Sequence, residues 1–115
     1  MTAKHNRTAE KHIKALLDAS SALQRTKDLH GAGLLLSDAQ QQIQEHLGDE
    51  KTSPHNLHVD FLLHVASLSY DKGRTHKAQR IALEALAVII AISVCKNESP
   101  TNHPLWEQLM AFVPH

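Results

Sequence analysis

Residues 81–95, IALEALAVIIAISVC, constrain this chain more than any other stretch, because they hold one charged side chain, Glu84, and one hydroxyl, Ser93, in fifteen positions. As a helix the run is apolar on nearly every side, and a helix of that kind is enclosed by other helices. A membrane span takes about 20 consecutive apolar residues, so the run, bracketed by Arg80 and Lys96, is too short and no membrane is implied. The expectation is a core helix at the centre of a small all-α domain.

The rest of the sequence reads as helices that pack around it. Thr8 is the expected N-cap of a first helix, with residues 1–7 a flexible lead-in, and Ile13, Leu16, Leu17 and Leu23 recur at helical spacing. Ser20 falls on that apolar stripe, where its hydroxyl is expected to bond the carbonyl one turn back. Gly31 and Gly33 read as the stop of this helix. A second helix is then expected from about Leu34, with Leu36, Ala39, Ile43 and Leu47 inward and Gly48 as its end. Ser53-Pro54 signals the start of a third helix, which runs to Gly73. Thr75 is the expected cap of a fourth helix, residues 75–96, and Pro104 opens a short last one. Residues 1–115 thus form one all-α domain of about five helices in antiparallel hairpins around residues 75–96.

Composition removes several functional classes. Formal charge is zero with histidine neutral, so no global field draws the chain to nucleic acid or an anionic membrane. The single cysteine, Cys95, excludes an internal disulfide framework, and no signal pattern opens the sequence; a cytoplasmic location is expected. No nucleophile elbow, P-loop or dinucleotide fingerprint occurs, so no cofactor and no catalytic residue are implied. The paired acidic motifs of all-helical nucleotide pyrophosphohydrolases are also missing, since Glu84 stands alone in its helix.

Ala66, Ala78 and Ala85 have the relative spacing of the small residues that let paired helices approach closely, and Leu62 and Val65 suit the large apolar positions beside them. In these positions residues 62–86 resemble a tetratricopeptide-repeat hairpin. Ala66 stands where that family usually has glycine, Tyr70 is one place late, and no second copy recurs. The resemblance implies a scaffold that binds peptides or partner proteins without catalysis.

Three sets of residues are candidates for a site. Lys72, Arg74, His76, Lys77 and Arg80 gather positive charge at the start of the fourth helix, against the macrodipole, which suits an anion or an acidic partner surface. The competing reading is a solvated turn in which Arg80 pairs with Glu84. Trp106, Leu109, Met110 and Phe112 crowd the last helix as core or as a self-association surface. His55, His58, Asp60 and His64 are the only residues arranged at all like a metal site, and they fall short of the three ligands and open position of a catalytic zinc.

The expected function is a small cytoplasmic interaction protein that acts as an adaptor, inhibitor or regulatory subunit on another protein, with homo-oligomers allowed. A viral or mobile-element protein that blocks a host factor has the same signature. The alternative is a nucleic-acid-associated accessory protein using the 72–80 cluster, together with an exposed first-helix stripe of Lys4, Arg7, Lys11 and Lys14. A metal-dependent enzyme is the remote third. The ten histidines take the formal charge from zero toward +10 when protonated, and thermal stability is expected to fall below about pH 6 through self-repulsion. A flat melting temperature across that range would refute it.

Overall fold

The computed structural model describes the backbone of residues 2–114 and the side chains from Arg7 onward. Five α-helices and one 3-10 turn make up its regular structure, with no strand among the described residues. Helix α1 (Thr2–Arg25) and helix α2 (Leu29–His46) form one antiparallel hairpin. Helix α3 (Asn56–Asp71) and helix α4 (Thr75–Lys96) form a second. The 3-10 turn (Pro100–Asn102) and helix α5 (Trp106–Met110) lie back against α4.

Helix α3 joins the two hairpins, since it packs on α1, α2 and α4. On one side Leu57 and Leu68 meet Ile13, Leu17, Ala32, Leu36, Ala39 and Ile43. On the other side Val59 and Leu62 meet Ala82, Ala85, Leu86, Val88, Ile89 and Ile92, with Leu109 of α5 closing the end. Ala66, Ala78 and Ala85 are all 0% exposed, small side chains buried where α3 and α4 pack together.

The expected enclosure of residues 81–95 is met on one face only. Leu83, Ile90 and Val94 are 52%, 45% and 73% exposed. The shape explains why. The molecule measures 39 × 34 × 19 Å, and 19 Å accommodates about two helix diameters. Helix α4 lies at the edge of this slab, covered by α3, the 3-10 turn and α5, and nothing among the described residues covers its outer side. By length and composition alone, α4 is also long and apolar enough to cross a membrane.

Several helix ends differ from expectation because a local hydrogen bond outcompetes the sequence signal. Helix α1 runs through Thr8 and begins at Thr2. The α1–α2 turn forms at Lys27, with φ of 70°, and Asp28 caps α2 by accepting from the Gly31 amide at 2.9 Å. Gly31 therefore lies inside α2. A Cβ there would come 2.5 Å from the Asp28 carboxylate, so a larger residue would make that side chain shift. Ser20 donates across the hairpin to the Ala32 carbonyl at 3.0 Å, where a bond within its own helix was expected.

Helix α3 starts two residues after Pro54, under a cap of two histidines. The Leu57 amide donates to His55 Nδ1 at 3.0 Å, and the His55 amide donates to His58 Nδ1 at 3.0 Å. With Nδ1 accepting, Nε2 of buried His58 carries the proton and donates to the Gly48 carbonyl at 2.9 Å. This ring therefore fastens the end of α2 to the start of α3. His58→Ala is expected to cost about 1–3 kcal/mol, because it removes a buried ring that bonds the partly buried Gly48 carbonyl and makes half of the cap. Urea unfolding would check this, and a loss near zero would mean the cap is dispensable.

Candidate binding groove

Gly73, with φ of +82°, turns the chain sharply between α3 and α4, and the Arg74 amide closes the turn onto the Ser69 carbonyl at 2.9 Å. Lys72, Arg74 and Lys77 leave this turn along one rim of a groove of about 430 Å³ between α2, α3 and α4. Phe61, Val65 and Leu68 of α3 and Ile81 of α4 form an apolar floor, and Ser37 and Gln40 of α2 form the opposite wall. Lys72 extends over α2, its Nζ only 3.7 Å from where a Cβ on Gly33 would stand, so the missing side chain leaves room for it.

Thr75 does not cap α4. The N-cap is Arg74, and no side chain accepts from the free amides of the first turn. The basic cluster thus adds side-chain charge to a helix end that is already positive. No lysine or arginine among the described residues lies in an ion pair; the two pairs present are His55–Glu10 at 2.9 Å and His64–Asp60 at 3.5 Å. Arg80 and Glu84 form no salt bridge, so the solvated-turn pairing expected for them is not made.

Glu84 faces Glu50 instead. Glu50 comes from the α2–α3 loop and lines the same groove. Partial burial, then the hydrogen bond and negative charge of Glu84 and the charge of Asp49, push its carboxyl from the ordinary 4.5 up to about 7, against the opposing pull of Lys51. The two carboxyls bring the α2–α3 loop beside α4. A site that looked wholly basic in sequence therefore holds cations and a protonatable acidic pair.

The remaining candidates do not converge on this groove. His76 and Arg80 are exposed outside it. Leu109 is 0% exposed and hence unavailable to a partner, while Trp106, Met110 and Phe112 are partly buried against the α3–α4 core. His55 and His58 serve as the α3 cap, and His64 turns its Nδ1 onto the Asp60 carbonyl at 2.7 Å. No group of three metal-binding side chains forms among the described residues. Arg7, Lys11 and Lys14 are exposed on α1, and the Lys4 side chain lies outside the described residues. Two further cavities of about 540 Å³ flank α3. One lies toward Gln24, His64 and Phe112, and the other is lined by Glu10, Lys14 and His55.

No protein-family model matches the sequence, and comparison with curated proteins and with solved structures gives no significant match.

Glu50 gives the groove a pH signature with a definite sign. Its folded pKa is raised, so its contribution to stability is present below about 4.5 and is lost as pH rises through about 7. Glu50→Gln is expected to melt higher than wild type at about pH 8, and the advantage should shrink toward about pH 5. Parallel melting profiles for the two proteins would refute the carboxyl pair.

Proposed function

We propose that the chain is a non-catalytic protein-interaction module whose groove receives an acidic segment of another protein. Lys72, Arg74 and Lys77 carry this reading, because three cations with no ion-pair partner rim an apolar floor. An extended or helical segment with carboxylates toward the Gly73 turn and one apolar side chain over Phe61, Val65 and Leu68 satisfies both parts of the groove. The uncapped amides of α4 favour the same sign of charge. Complete burial of Ala66, Ala78 and Ala85 supports the likeness to a tetratricopeptide-type hairpin, a kind of scaffold that binds peptides. An adaptor, inhibitor or regulatory subunit working in the cytoplasm fits this mode of action.

The test is a fluorescence titration with a labelled peptide rich in Glu and Leu, against wild type and against Arg74→Glu with Lys77→Glu. Binding should weaken at least about tenfold in the double variant, since two attractive charges become repulsive. Unaltered binding would remove the groove as the site. Tighter binding of single-stranded DNA than of the peptide, weakened steeply by salt, would replace this reading with the nucleic-acid one.

A further inference from the structure

We infer that the outer face of α4 is a self-association surface on which a second copy of this chain packs its own α4 in antiparallel orientation. Leu83, Ala87, Ile90 and Val94 recur at intervals of four, three and four, the seam of a two-helix coil, and all four are exposed. Ala91 and Cys95 extend the same exposed face along one flank. The seam is independent of the groove, which Glu84 and Lys77 border from the side.

Size and charge both select the antiparallel arrangement. Turned end for end, Leu83 of one copy meets Val94 of the other, and Ala87 meets Ile90. Every layer then joins two complementary side chains, whereas parallel packing would set Ala87 on Ala87 and leave a gap beside Ile90 on Ile90. Arg80 lies at the N-terminal end of the seam, exposed and without an ion pair. Antiparallel packing carries it to the C-terminal carbonyls of the second helix and to Glu98 just past the Asn97 cap, where the macrodipole is negative. A parallel pair would place the two basic ends together. Lys96, which would spoil this match, projects from the opposite side of the helix, where it lines a cavity with His103.

A second copy fits the fold better than a lipid bilayer does. Ala82, Ala85, Leu86, Val88, Ile89 and Ile92 are committed to the core, so α4 could span a membrane only if the second hairpin came apart. One helix seam is a small interface, at the low end of the size range for specific contacts, and makes a reversible dimer. Its two-fold symmetry is closed, so it stops at two.

Sedimentation of the full chain over a wide concentration range tests the inference. Wild type is expected to show a monomer–dimer equilibrium, and Ile90→Glu to weaken it at least about tenfold by desolvating a carboxylate in the seam. Helicity should not change, because Ile90 contributes little to the core. In a Cys95→Ser background, Leu83→Cys protein mixed with Val94→Cys protein should form a disulfide-linked dimer. Each alone should not, because antiparallel packing holds identical positions about 16 Å apart along the axis. A strict monomer, a dimer indifferent to Ile90→Glu, or cross-linking of each cysteine protein with itself would overturn the proposal. So would a monomer that partitions into phosphatidylcholine–phosphatidylglycerol vesicles in an Ile90-dependent way.

Discussion

Helix α3 has to bury two sides at once, and the rest of the molecule is arranged by that requirement. Leu57 and Leu68 belong to the core shared with the first hairpin, while Val59 and Leu62 belong to the core shared with α4. Phe61 touches both. No other helix has this double role. Because α3 is filled on both sides, α1 with α2 and α4 with α5 occupy opposite flanks, and the molecule grows into a thin slab. An edge helix in such a slab has one covered face by construction.

The cap of α3 protects this arrangement at its start. His58 spans the end of α2 and the first turn of α3, so the angle between the hairpins is held by one buried, fully bonded imidazole. The small side chains of Ala66, Ala78 and Ala85 hold the other contact, where α3 meets α4 closely enough to set the Gly73 turn. The groove follows from these two contacts. Its floor is the strip of α3 where the two cores meet, with Ile81 of α4 beside it, and its basic rim is the turn that the alanine contact positions. Glu50 enters because the loop ahead of the histidine cap passes beside α4. Glu50 thus joins Glu84 and the Lys72, Arg74 and Lys77 cations in one groove although it comes from a separate loop.

Much of the fold is legible in the residues alone. The turns at Gly48 and Gly73, the stop near Lys96 and the inward positions Leu36, Ala39 and Ile43 follow from periodicity and punctuation. The departures share a physical cause. Pro54 is a strong start signal, but two imidazoles offered the backbone a better cap two residues later. Gly31 reads as a stop, yet it lies in the first turn of α2, close under the Asp28 carboxylate that caps that helix. In both cases several residues in a short stretch compete to cap the helix, and the local geometry, with bonds two or three residues long, settles which one does.

The site divides in the same way. The sequence by itself determined that there would be five helices, that positive charge would gather at the start of α4, and that residues 81–95 would be too apolar to stand alone. These are properties of local composition and helical period. Only the tertiary structure decided that three of those charges share a groove with a Glu50–Glu84 pair. It alone also decided that Leu83, Ile90 and Val94 face outward. Which side of an apolar helix is covered depends on where its neighbours run out. That boundary is set by the packing of the whole chain, and no single stretch encodes it.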